Sequence, residues 1–233
     1  NQIINYLDLV ALAIAADVVP LTGENRVLSF IGLQIINSNP RPGVHSLLKK
    51  NVKKEYTISD LMYYVGPRIN AAGRMKHASL ALELLICNDI NSVEKLALEI
   101  EDLNTSRRDI EKDITSQSIE QVDNSSEKLN SIVVFDSDWN KGVIGIVASR
   151  LVDKYYKPSI VFCESSKGVL TASARSIKGL DLYSVLNQCK GFIDQFGGHK
   201  YAAGLTIKKE NLEGFKKHFE NIVSQIIDKN IFE

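Results

Sequence analysis

Asp17, Arg68, Arg74, Ser173, Arg175 and His199 are the side chains best placed to do chemistry, and their surroundings point to anions and hard cations. Asp17 closes the apolar run Leu9 to Ala16. A carboxylate there is costly unless it is solvated, hydrogen-bonded, paired or metal-bound. It therefore reads either as a hard-cation ligand or as a solvated helix end. Arg68-Ile-Asn-Ala-Ala-Gly-Arg74 sets two arginines around small residues. Guanidinium forks suit phosphate bidentately. The competing reading is a turn with surface arginines.

Three more segments lie in the second half. Gly142-Val-Ile-Gly-Ile-Val-Ala-Ser-Arg150 follows a strand-like run. A strand-to-helix turn there would aim backbone N–H groups at an anion, although the segment is neither a Walker loop nor GxGxxG. Ser173-Ala-Arg175-Ser176 is either a phosphate cradle or an ordinary strand-end polar cluster. Gly197-Gly198-His199, continuing to Gly204, reads as a turn that lets a ligand approach the backbone. His45, His77 and His218 lack such surroundings and read as structural. No Ser/His/Asp triad is supported.

The elements that position these residues follow from periodicity. Tyr6 to Pro20, Asn25 to Asn37, His45 to Lys50 and Ser79 to Ile86 read as helices, and Thr57 as a helix start. Ser92 to Val122 keeps helical spacing over about 46 Å, with Ser92 as N-cap and the apolar stripe broken at Arg107-Arg108. It is either a coiled-coil segment or a connector between domains. Residues 123–128 read as a loop. Ile132–Phe135, Ser159–Phe162, Leu170–Ser173 and Leu205–Ile207 then read as strands, with helices at Gly142–Tyr156, Leu180–Cys189 and Leu212–Ile227. The expected class is α/β: a mainly helical part over 1–91, a long connector helix over 92–123, and a small α/β domain with a mixed sheet over 129–233.

Composition narrows the classes. The chain has 233 residues, 44% apolar and 24% charged, with 28 basic and 28 acidic side chains, ordinary for a globular protein. A neutral total excludes no nucleic-acid partner, because a basic patch can be local. No apolar run is long enough for a membrane span. Three distant cysteines argue against a disulfide framework and for a cytoplasmic location. No signal peptide is visible, and the start at Asn1, without Met, reads as a piece of a longer protein.

Taken jointly and in order, Leu7 to Leu21, Arg68 to Arg74, Leu103-Asn-Thr-Ser-Arg-Arg108, Gly142 to Arg150, Ser173 to Ser176 and Gly197 to Gly204 resemble the RecJ family of single-strand-specific DNA exonucleases, within the DHH phosphoesterases. The Gly-Gly-His segment by itself marks only a DHHA1-type domain. The resemblance implies that residues 1–91 are the last part of a DHH domain, that 129–233 are a nucleic-acid-binding DHHA1 domain, and that single-stranded DNA lies in the cleft between them. It implies two divalent ions, manganese or magnesium. Asp17 is implied as metal ligand and, with His199, as catalytic. Arg68, Asn70, Arg74, Arg108, Ser173, Arg175, Gly197, Gly198 and His199 are implied as nucleic-acid contacts. Trp139 reads as core and Tyr201 as a base-stacking candidate.

The family's DYDxDG-like and Asp-His-His motifs do not occur, and Asn140-Lys141 stands where many relatives have His-Pro. The activity implied is 5′-to-3′ phosphodiester hydrolysis in DNA repair and recombination. A phosphodiesterase for short oligonucleotides or cyclic dinucleotides, and a non-catalytic DHHA1 binding module, are the alternatives. Asp17 alone cannot hold two hard cations that each need about six ligands. The purified chain is therefore expected to leave single-stranded DNA intact with manganese. Digestion that Asp17→Ala abolishes would overturn this.

Overall fold

The computed structural model describes residues 2–49, 52–126 and 128–227, the side chains of 2 and 3 excepted. Lys50, at the end of an expected helix, and Glu127, inside the expected loop, lie outside the described residues, as do 1, 51 and 228–233. Backbone contacts divide the chain into two compact units, Asn1–Arg108 and Asp109–Glu233.

The first unit is helical. Helix α1 (Leu7–Ala16) packs on α2 (Gly23–Ser38), followed by α3 (Pro42–Leu48). A helical run then comprises α4 (Ile58–Asp60), a π-type turn (Leu61–Val65) and α5 (Gly66–Met75). Thr57 and Asp60 form a capping box at its start. Pro67 explains the widened turn. It has no N–H and its ring crowds the carbonyl four residues back, and the Gly66 N–H reaches back five residues to Leu61 instead. Helix α6 (Ser79–Ile86) has the expected bounds. The core holds Ala11, Leu12, Ala15, Ile36, Val44, Leu61, Val65, Leu84 and Ile100. Buried Asp8 is held by Arg41, which also donates to the Asn5 carbonyl and lies 5.0 Å from the Tyr6 ring centroid.

Helix α7 runs Ile90–Asp123. Ser92 is not its N-cap. The Asp89 carboxylate accepts the Ser92 N–H at 2.8 Å, and hydrogen bonds from Ser92 hold it below its usual pKa. The Arg68–Arg74 segment lies within α5 and is not a turn.

In the second unit a five-stranded mixed sheet has the order β1-β2-β3-β5-β4. The strands are β1 (Ile132–Phe135), β2 (Ser159–Ser166), β3 (Val169–Arg175), β4 (Gln195–His199) and β5 (Ala202–Lys208). β1 and β2 are parallel, with α8 (Ile144–Tyr155) between them in sequence; the other pairs are antiparallel. Helices α9 (Leu182–Gln188) and α10 (Leu212–Ile227) complete the unit. Strand β4 is a correction to the sequence reading, which made Gly197-Gly198-His199 a turn. The reversal lies at Lys200-Tyr201, and the glycines are paired strand residues.

Strand alternation gives the sheet two unlike faces. Ile160, Phe162, Leu170, Ala172, Ala174, Ala203, Leu205 and Ile207 pack with Leu182, Leu186, Phe215 and Phe219 in one apolar cluster. Thr171, Ser173 and Arg175 point the other way, as do Ala202, Gly204 and Thr206. The β1–β2 part of that second face buries Val134 and Val161, with Val147 and Leu151 of α8 also buried. Trp139 is buried as expected and donates to Gln117 of α7 at 2.7 Å. Burial pushes the Cys189 thiol up to about 12, and Cys163 is raised for the same reason. No helix among the described residues is long and apolar enough to cross a membrane.

Asp60 gives the first unit a pH dependence. Burial works to raise its pKa, but hydrogen bonds from Lys53 and Thr57 prevail and leave it below its ordinary value of 3.8. A carboxyl depressed on folding stabilises above its unfolded pKa and loses that contribution as pH falls through its folded pKa. Asp60→Asn is expected to lower the melting temperature at neutral pH. The gap to wild type should narrow below about pH 4 as wild-type Asp60 protonates. Parallel melts across that window, with a constant gap, would remove Asp60 as the cause.

Candidate nucleic-acid interface

The N-terminus of α8 is built by Asn140. Its carbonyl accepts the N–H groups of Val143 and Ile144, and its side-chain oxygen accepts that of Gly142. The first-turn N–H of Gly145 has no backbone acceptor among the described residues. Gly145 is buried, and a Cβ there would lie 3.0 Å from Ser173 Oγ and 3.2 Å from Arg175 Nη2. The Arg175 Nη1 donates to Ser173 Oγ at 2.9 Å and to the Ala174 carbonyl at 2.8 Å, which fixes the fork. The first turn of α8 at Gly145 thus lies close against a hydroxyl and a guanidinium, and a helix start, a hydroxyl and a guanidinium are groups that an anionic oxygen takes as donors.

Register extends this cradle across the sheet. Ser173 pairs with Gly204, which pairs with Gly197; Arg175 pairs with Ala202, which pairs with His199. Successive strands stand about 4.8 Å apart, so Arg175 and His199 are about 10 Å apart along one row. Between them the floor is bare. A Cβ added at Gly197 meets nothing within 4 Å, and one at Gly204 only the Ala172 carbonyl at 3.8 Å. Gly198 differs. Its φ is +151°, and a Cβ there would stand 2.3 Å from the Ala202 carbonyl oxygen. Gly198 serves the fold, whereas nothing in the fold requires glycine at 197 or 204.

His199 is exposed at the end of β4, and its Nδ1 accepts the Tyr201 N–H at 3.3 Å. Because the donor is a backbone amide, Nδ1 carries no proton in this arrangement. The neutral ring then holds its proton on Nε2, as a donor. Tyr201 is half exposed, beside Lys200.

The other expected residues lie in the first unit. Asp17 is exposed at the C-cap of α1. Val18 follows with φ 55°, and the Val19 N–H returns to the Ile14 carbonyl. Both choices oppose local preference. A carboxylate at a helix C-terminus faces the negative end of the macrodipole, and a β-branched residue in the left-handed region is strained. Such paired violations gather at functional positions. A Cβ at Gly66 would lie 3.2 Å from Ala16 Cα, so the start of α5 sits close against the end of α1. Arg68, two residues on, is mostly buried; its Nε donates to Glu101 at 2.6 Å and its Nη1 to the Tyr64 carbonyl. Its fork ties α5 to α7. Asn70 and Arg74 share an exposed face of α5, and Arg108 is exposed on α7.

Among the described residues no group of three His, Cys, Asp or Glu side chains could hold a metal ion. A two-metal centre therefore does not fit the described residues by themselves. Gly145 and Gly204 were missed from sequence as site members. The signal for Gly204 was a glycine inside a β-prone run, which marks close approach of another group.

Residues 128–225 match the DHHA1 domain family. The chain is 40% identical to the single-stranded-DNA-specific exonuclease RecJ of Haemophilus influenzae, over 97% of this chain and 41% of that protein. It is 37% identical to the protein of that name from Bacillus subtilis, over 97% of this chain and 29% of the relative. The crystal structure of RecJ in complex with Mg2+ from Thermus thermophilus superposes with a TM-score of 0.86 at 28% identity, covering 95% of this chain and 35% of that one. A structure from the same source in complex with Mn2+ also gives 0.86. The chain thus spans less than half the length of these relatives.

The three glycines should separate in stability. Gly197→Ala and Gly204→Ala are expected to melt at or slightly above the wild-type temperature, since a strand glycine costs about 0.5–1 kcal/mol relative to alanine. Gly198→Ala is expected to lose about 1–3 kcal/mol. Equal losses at all three positions would mean that the floor glycines are structural.

Proposed function

We propose that this chain, a DHHA1-containing relative of the RecJ proteins, is part of a metal-dependent exonuclease for single-stranded DNA, in which its second unit grips the strand by phosphate. The observation that carries this reading is the close approach of Ser173 Oγ and the Arg175 guanidinium to the first turn of α8 at Gly145, beside a glycine floor. A phosphate oxygen in the cradle accepts hydrogen bonds from the Ser173 hydroxyl and the start of α8 while Arg175 balances its charge. The strand continues over Gly204 and Gly197, where missing side chains let a sugar-phosphate backbone lie flat. His199 donates from Nε2 at the far end of the row, and Tyr201 offers a ring to a base. Contacts of this kind fix position without reading sequence.

In this reading Asp17 supplies one oxygen ligand to a divalent-metal centre, which accounts for a helix end that local preferences disfavour. Manganese or magnesium there would supply charge to the scissile phosphate. Arg68 acts through Glu101 to position α5, and Asn70, Arg74 and Arg108 are exposed candidates for further phosphate contacts.

Salt-titrated binding of a 5′-phosphorylated single-stranded oligonucleotide tests the cradle. Arg175→Ala is expected to weaken binding about ten- to a hundredfold, equally for every base sequence, and to flatten the salt dependence by about 0.7 in the log–log slope. Gly204→Val should weaken binding without lowering the melting temperature. Wild-type affinity in Arg175→Ala at every salt concentration would end the reading. A loss confined to one base sequence would replace phosphate gripping with base readout.

A further inference from the structure

Strand β1 is one edge of the sheet. In a parallel pair, alternate residues of a strand direct their N–H and C=O groups to the same neighbour. The Ile132 N–H reaches the Pro158 carbonyl at 2.9 Å and the Asp136 N–H the Phe162 carbonyl at 3.4 Å. Even-numbered residues therefore serve β2, while Val133 and Phe135 face outward. At Phe135 the outward groups are taken by one side chain. The Gln121 amide of α7 donates to the Phe135 carbonyl at 3.1 Å and accepts the Phe135 N–H at 3.4 Å. Gln121 stands in for the main chain of an adjacent strand.

Val133, one repeat away, has no such partner among the described residues. Its half-buried peptide opens into a groove of about 310 Å³ lined by Gln121, Val122, Leu129, Val133, Lys157 and Lys216. An unpaired donor and acceptor at this depth are a standing cost. The charge of the rim is uneven. Lys216 is paired with Glu213, but the Lys157 ammonium rests on the neutral Leu129 carbonyl; Lys128, the chain neighbour of Leu129 and not itself in the lining, is exposed with no carboxylate partner among the described residues.

We propose that this edge of β1 is a docking site for an extended acidic peptide segment of a partner protein, added to the sheet as a strand opposite Val133. Main-chain amides of the segment satisfy the Val133 N–H and C=O, the interaction Gln121 already imitates one position on. Carboxylates of the segment meet Lys157 and Lys128. This surface is separate from the phosphate cradle, so its success or failure is independent of the nuclease reading.

The test is selection of a phage-displayed random peptide library on the full 233-residue chain, followed by synthesis of the enriched peptides. Val133→Pro removes the outward N–H at an edge position, where proline is tolerated. Enriched peptides are expected to be rich in Asp and Glu, and to bind Val133→Pro about tenfold or more weakly than wild type. They should also slow hydrogen exchange of the Val133 amide in the wild-type chain, a readout that needs no variant should Val133→Pro fail to fold. Lys157→Glu should weaken them too. No enrichment, or peptides that leave Val133 exchange unchanged, would overturn the proposal. So would protection of Val133 by single-stranded DNA, which would make the edge part of the nucleic-acid surface.

Discussion

The antiparallel register of β3 against β5 is the constraint on which the second unit depends. Leu170 against Ile207 and Ala172 against Leu205 turn apolar side chains toward α9 and α10, which places Ser173 against Gly204 and Arg175 against Ala202 on the opposite face. A slip by one residue would exchange the faces, burying the guanidinium and exposing the core. Core and cradle are therefore specified by one set of backbone pairings. The same register carries Gly197 and His199 of β4 into line, because among the described residues β4 pairs only with β5.

Helix α8 works within this frame at both ends of its chemistry. Val147, Ala148 and Leu151 bury against the sheet, and Arg150 reaches Glu111 of α7 at 3.1 Å. Its first turn is left with an N–H at Gly145, where a larger residue would run into Ser173 and Arg175. Glycine here is a packing requirement and a chemical one together. At Gly197 and Gly204 packing asks for nothing, which sets those two apart from Gly198.

The first unit shows the opposite economy. Its buried charges are committed to structure: Asp8 to Arg41, Asp60 to Lys53 and Thr57, Arg68 to Glu101. Removing one partner of such a pair strands the other in a poorly solvated place. Asp17 is left in water at a strained helix end. Within that unit, locally disfavoured residues rather than buried charges mark the position with chemical potential.

The sequence by itself determined the helices with sustained apolar spacing, Ser79–Ile86 and Leu212–Ile227 to the residue, and the mixed α/β character of the second half. It also identified Asp17, the Ser173–Arg175 pair and the Gly-Gly-His segment as chemically distinctive, because residue type alone makes a carboxylate after an apolar run or a glycine pair before a histidine unusual. Local propensity could not see β4, since Gln-Phe-Gly-Gly-His has little preference for extended structure until β5 supplies its hydrogen bonds. It could not place Arg68, whose fork is taken by Glu101 across 33 residues of chain. Only tertiary structure decided that Gly145, Ser173, Gly204 and His199 share one face, because cross-strand register and helix placement are long-range facts that no sequence spacing encodes.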